Sequence, residues 1–130
     1  MDQIKILLVD DEEELVKTLS QRMNMRNFGT NIAFNGEAAL KIVEDEIPDV
    51  VVLDLKMPGI DGMEVLRRIK NHYPGIEVII LTGHGSPNDE AQAKKLGAFA
   101  YLNKPVNIDE LVDLIKQAHA HAKTGASTSS

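Results

Sequence analysis

The sequence predicts an α/β fold, a doubly wound sheet of five parallel strands with helices on both faces. Two observations carry this. Short apolar runs of strand length alternate from end to end with segments whose apolar residues recur at helical spacing. Runs such as Val50-Val51-Val52-Leu53 are continuously apolar, so both of their faces must be covered, which a half-exposed antiparallel sheet does not provide. Five strand-helix units are too few to close an eight-stranded barrel.

The first strand ends at Val9. Leu15, Leu19 and Met23 then share one helical face with Val16 beside them, and Asn27, Gly29 and Thr30 end that helix. Thr30 to Phe34 reads as a short second strand. Asn35-Gly36 forms a turn or helix start, and Ala39, Leu40 and Val43 are the buried face of a second helix closed by Pro48. Asp49 to Leu53 is the third strand. After the turn at Met57-Pro58-Gly59, a third helix is marked by Met63, Leu66 and Ile69 and stopped by Pro74-Gly75. The fourth strand spans Glu77 to Leu81. Ser86-Pro87-Asn88-Asp89 has the pattern of an N-cap with proline in the first turn and a carboxylate at N3, and Gly97 suits the far end of that helix. Ala100 to Leu102 is the fifth and shortest strand. Asn107 with Glu110 three residues later opens a last helix with Leu111, Leu114, Ile115 and Ala118 on its apolar face. Residues 1–122 form the expected domain, and 123–130 read as a flexible tail or linker.

At 130 residues the chain fits one domain, for which a radius of gyration of roughly 14 Å is expected. Apolar residues make up 43% and charged residues 26%, an ordinary globular composition that excludes disordered and fibrous classes. The absence of cysteine excludes disulfides and thiolate metal sites. No apolar stretch has the length of a spanning helix, and the first strand begins close to Met1. The expectation is therefore no signal peptide, no membrane contact and a cytoplasmic location. A net charge of −6 without a dense basic face argues against direct nucleic-acid binding.

In a parallel sheet the carboxyl ends of all strands converge on one edge, where such folds place their sites. Here the strands deliver Asp10-Asp11, Asp54, Thr82 and Lys104 to that edge. Two carboxylates about 4 Å apart repel by roughly 1–4 kcal/mol, so a cation is expected to share the pocket. An all-oxygen donor set selects a hard ion, and Mg²⁺ fits best. The acidic run Asp10 to Glu14 reads equally well as a first helical turn that complements the macrodipole. Lys104, followed by Pro105, adds a cation and Thr82 a hydroxyl donor. Together these supply what in-line phosphoryl transfer needs, with no general base, because a carboxylate is already ionised at neutral pH. Tyr101 alone reads as a strand aromatic in a core or an interface.

From Lys5 to Ala122 the residues resemble the receiver domains of two-component response regulators. The resemblance rests on Asp10-Asp11, Asp54, Met57-Pro58-Gly59-x-Asp61-Gly62, Thr82-Gly83 and Lys104-Pro105. It implies a flavodoxin-like fold of strand order 2-1-3-4-5 and a phosphoacceptor at Asp54. It also implies a metal site of Asp10, Asp11, Asp54 and the Lys56 main-chain carbonyl, holding Mg²⁺ or its substitute Mn²⁺. Thr82 and Lys104 would bind the phosphoryl group, Thr82 and Tyr101 would form the switch, and the Lys104-Pro105 bond would be cis. Lys56 and His84 occupy positions that border the phosphoryl group and are expected to tune its lifetime, in a direction the sequence leaves open. The implied donors are a histidine kinase, a phosphotransfer protein or a small donor such as acetyl phosphate. The implied output is a change in the face formed by Pro87 to Leu96, Ala100 to Leu102 and the last helix, which acts on a partner or an output domain and favours a homodimer. The chain is then a signalling module that assists its own phosphorylation and dephosphorylation, not an enzyme acting on a separate substrate.

Two other classes are weighed against this. Phosphatases of the haloacid dehalogenase type resemble Asp-x-Asp around the nucleophile, whereas Asp54-Leu55-Lys56 places a lysine second. A flavin binder needs a Ser, Thr and Gly-rich loop after the first strand, where Asp10-Asp11 would repel the phosphate. His119 and His121 lie two apart on a helix, hence on different faces, and read as a solvated helix end, with His72 at the surface. Gly83-His84-Gly85 reads as a flexible loop.

Overall fold

The computed structural model describes residues 3–83 and 85–128, with side chains through Ala122. Ten elements alternate: β1 (Lys5–Val9), α1 (Glu13–Met25), β2 (Gly29–Ala33), α2 (Gly36–Asp45), β3 (Val50–Leu53), α3 (Gly62–His72), β4 (Glu77–Thr82), α4 (Pro87–Lys95), β5 (Ala100–Asn103) and α5 (Ile108–Thr128). The strands form one parallel sheet in the order β2-β1-β3-β4-β5. This is the doubly wound, flavodoxin-like arrangement, and the order reverses between β1 and β3.

Because successive strand residues point to opposite faces, the continuous apolar runs divide into two cores. Leu7, Val9, Val51, Leu53, Val78 and Ile80 pack with Ala39, Val43, Val65, Leu66, Ile69 and Ala93 from α2, α3 and α4. Ile6, Leu8, Val50, Val52, Ile79 and Leu81 pack with Val16, Leu19, Met23, Leu111 and Ile115 from α1 and α5. Each fully buried Leu, Ile or Val contributes about 1.5–3 kcal/mol relative to exposure.

Local chemistry sets the element ends. Asn35 Oδ1 accepts from Ala38 N at 2.8 Å, Asp61 Oδ1 from Met63 N at 3.2 Å, and Asn107 Oδ1 from Glu110 N at 2.9 Å. Ser86 and Asp89 form a reciprocal capping box with Pro87 at the helix start. The sheet shifts some strand limits from their sequence-based positions. Pairing of Gly29 with Lys5 starts β2 one residue early, and pairing of Thr82 with Asn103 lengthens β4 and β5. The fifth strand is therefore as long as β3 rather than shorter. Helix α5 continues past Ala122 to Thr128, into the segment expected as a flexible tail.

His121 is also not a merely solvated helix end. Its Nδ1 lies 2.5 Å from Oε2 of the buried Glu77, and its ring sits 5.3 Å from that of Phe99. Lys70 Nζ donates to the other Glu77 oxygen at 3.3 Å and to the carbonyls of Pro74 and Ile76 at 3.0 and 2.9 Å. The start of β4 is thereby tied to α3 and α5. His72 is exposed. Among the described residues no helix is long and apolar enough to cross a membrane.

The start of α3 abuts the site strand. A Cβ on Gly62 would stand 2.5 Å from both the Asp54 carbonyl oxygen and Leu55 Cα, which are backbone atoms that cannot swing aside. Gly62→Ala should therefore lower stability by about 1–3 kcal/mol, seen as a lower urea midpoint at unchanged slope.

Candidate functional site

The sheet ladder itself carries the site residues to the carboxyl edge. Asp10 N donates to the Ala33 carbonyl at 3.1 Å, Asp54 N to the Val9 carbonyl at 3.0 Å, and Lys104 N to the Thr82 carbonyl at 2.9 Å. Each functional residue follows its strand by one position and continues the interstrand bonding. Asp10 and Asp54 are each 5% exposed and Thr82 is fully buried.

One ammonium organises three carboxylates. Lys104 Nζ lies 2.6 Å from Glu12 Oε1, 2.8 Å from Asp10 Oδ2 and 3.6 Å from Asp54 Oδ2. Burial by itself would lower the Lys104 pKa. Hydrogen bonds to Asp10 and Glu12, with the charges of Asp10 and Asp54, reverse this and hold it above the ordinary lysine value. Asp54 behaves oppositely. Burial and the neighbouring Asp10 charge raise its pKa, and they outweigh Lys104, the Lys56 N–H at 3.3 Å and the Thr82 hydroxyl.

Oxygens of Asp10, Glu12 and Asp54 all lie within 4.8 Å of one another. Glu12, which the sequence reading left in the acidic first turn, takes part in this group, and the group does not include Asp11. The reason is helical geometry. Glu12 is the N-cap of α1, its backbone N–H is held by Asp10 Oδ1 at 3.0 Å, and its side chain turns back over the edge. Its place two residues after Asp10 was a signal, but in the sequence it was absorbed into the acidic first turn. Lys56 lies in the loop after β3, its Nζ 3.9 Å from Asp89 Oδ2 at the start of α4. The Lys104-Pro105 peptide bond is cis. His84 lies outside the described residues.

Tyr101 lies on β5, its ring against the core formed with α2, α3 and α4. Its hydroxyl is buried without a hydrogen-bond partner among the described residues, a state that costs about 1–3 kcal/mol. Burial, followed by the charges of Asp89, Glu90 and Asp54, keeps its phenol protonated beyond the ordinary range.

Residues 6–116 match the sequence model of the response regulator receiver domain. The chain belongs to this family. It is 42% identical over 113 residues to sporulation initiation phosphotransferase F of Bacillus subtilis, an alignment that covers 87% of this chain and 91% of that protein. It is 39% identical over 120 residues to an NtrX-like response regulator of Rickettsia typhi, covering 91% of this chain but 25% of the relative. The chain thus spans about a quarter of the length of such relatives. Among solved structures, a CheY-like receiver domain protein from Methanospirillum hungatei JF-1 superposes with a TM-score of 0.91 at 28% identity, covering 95% and 98% of the two chains. A receiver domain from Clostridium thermocellum gives 0.87 at 37% identity, covering 92% and 97%. The receiver is a signalling module of two-component systems, consistent with a phosphoacceptor role.

The charge balance predicts opposite responses to two substitutions. An Asp54 carboxyl held above its ordinary value keeps its proton in the folded state where the unfolded chain has lost it. Stability is therefore present below the unfolded value and declines as pH rises through the folded one. Asp54→Asn should remove this decline and raise the urea midpoint at pH 7. Lys104→Met leaves the carboxylates unbalanced and should cost about 1–3 kcal/mol at pH 7, between the worth of exposed and buried pairs. Urea titrations repeated in acid, with the carboxylates protonated, should show both differences shrink.

Proposed function

We propose that the chain accepts a phosphoryl group on Asp54 and uses it to switch the face formed by α4, β5 and α5. The observation that carries this is the convergence of Lys104 Nζ on Asp10, Glu12 and Asp54 at the strand ends, with the Thr82 hydroxyl on Asp54. An ionised Asp54 oxygen attacks phosphorus in line. The Asp54 O–P bond forms as the bond to the donor's nitrogen or oxygen breaks, and the leaving group keeps the electron pair and takes up a proton. Lys104 and the Thr82 hydroxyl then bind the phosphoryl oxygens, which supplies charge stabilisation without a general base.

The oxygen-only donor set fits a hard divalent cation, Mg²⁺ with Mn²⁺ as substitute. Asp10, Asp11, Asp54 and the Lys56 main-chain carbonyl would hold it, with Glu12 as a further acidic group beside Asp10 and Asp54. Such an ion supplies neutralisation of the charge shared by the carboxylates and the phosphoryl group. Lys56 and His84 tune the lifetime of the acyl phosphate, whose hydrolysis the same pocket assists.

Donors of the fitting chemistry are a phosphohistidine on a kinase or phosphotransfer protein, or acetyl phosphate. Phosphorylation adds charge and acceptor oxygens that draw Thr82 toward them, and Tyr101 follows. Coupling of about 1–3 kcal/mol suffices to change the α4, β5 and α5 surface for a partner, an output domain or a second copy. Residues 1–122 are the receiver unit and 123–130 a C-terminal tail or linker. The module works in the cytoplasm and does not itself bind nucleic acid, as its net charge of −6 favours.

Incubation with acetyl phosphate and Mg²⁺ should add the mass of one phosphoryl group. The gain should be absent in Asp54→Asn and in EDTA. A gain that persists in Asp54→Asn, or none in the parent chain, rejects the assignment. Light scattering with a phosphoryl mimic should report a larger particle if the face closes on a second copy, and an unchanged mass rejects dimerisation.

A further inference from the structure

Gly85 lies in the short loop between Thr82, the last residue of β4, and the Ser86 cap of α4. The demand for glycine here comes from space. A Cβ at this position would stand 1.6 Å from the Tyr101 hydroxyl oxygen, 2.8 Å from its Cζ and 2.9 Å from Thr82 Cγ2. No packed structure tolerates such approaches, so a methyl group at residue 85 and the observed Tyr101 ring cannot coexist.

Of the groups in conflict, the ring is the softest. Thr82 is fully buried, and its backbone is fixed by pairing with Asn103 and by the Lys104 N–H on its carbonyl. Gly85 is followed at once by the Ser86–Asp89 capping box. The ring hangs from two side-chain torsions, and its buried hydroxyl has no hydrogen bond to anchor it among the described residues.

We propose that Gly85 is a positioning residue of the switch: its missing side chain keeps open the space that the hydroxyl end of Tyr101 fills, and any larger residue expels the ring. The steric part stands on the coordinates alone, and its consequence for phosphorylation rests on the proposed switch of Asp54, Thr82 and Tyr101. If phosphorylation favours the inward ring, excluding that ring must disfavour phosphorylation by the same factor.

The chain has two tyrosines and no tryptophan, so Tyr73→Phe leaves Tyr101 as the sole emitter. In that background Gly85→Ala should increase quenching of tyrosine fluorescence by acrylamide. It should also let the phenol ionise at lower pH, because the burial that raises its pKa is gone. With acetyl phosphate and Mg²⁺, Gly85→Ala should show a ratio of phosphorylated to unphosphorylated chain about fivefold lower than the parent, or lower still. In a Tyr101→Ala background, which empties the contested space, Gly85→Ala should have no further effect. Unchanged quenching, or an equal loss in the Tyr101→Ala background, overturns the proposal. Should Gly85→Ala fail to fold, rescue by Tyr101→Ala supports it and failure of the rescue overturns it. If the parent chain takes no phosphoryl group, the proposed function falls while the quenching comparison still decides the steric assignment.

Discussion

Three carboxylates and one ammonium share the carboxyl edge of the sheet, and the rest of the arrangement is organised around their balance. Asp10 and Asp54 are buried there because each extends a strand that is itself buried on both faces. Their mutual repulsion is a consequence of topology, since parallel strands cannot deliver their ends anywhere else. Lys104 offsets it from the end of β5, two strands from β3 and three from β1 in the sheet, with its own side chain 14% exposed.

The opposite edge shows a contrasting use of the same residue types. Glu77 is buried at the amino end of β4 and is satisfied on both oxygens by Lys70 and His121. Lys70 also closes two carbonyls of the loop before that strand. This acid has partners from two helices. It joins α3, β4 and α5 into one body, so that β4 can present Thr82 at its far end on a firm base.

Between these edges, Thr82 meets Asp54, Gly85 leaves room beside Thr82, and Tyr101 occupies that room from β5, its hydroxyl without a hydrogen-bond partner among the described residues. Packed interiors tend toward discrete arrangements rather than continuous deformation. The Tyr101 ring is held there by shape, with no hydrogen bond on its hydroxyl among the described residues.

Much of this was legible in the amino-acid order. Continuous apolar runs and helical spacing determined the alternation of elements, and the polar residue after each run determined which side chains meet, because strand direction leaves no choice. Caps at Asn35, Ser86 and Asn107 act within one turn and could be read locally. Side-chain direction and contact across long separations could not. Glu12 rather than Asp11 joins the acidic group because the start of α1 turns its side chain toward Lys104, and His121 reaches Glu77 only because α5 packs on β4. Gly85 looked like one glycine of a flexible loop until a ring from 16 positions later was placed against it. Local order is decided by backbone and capping energetics that span a few residues, whereas these contacts depend on where packed elements come to rest.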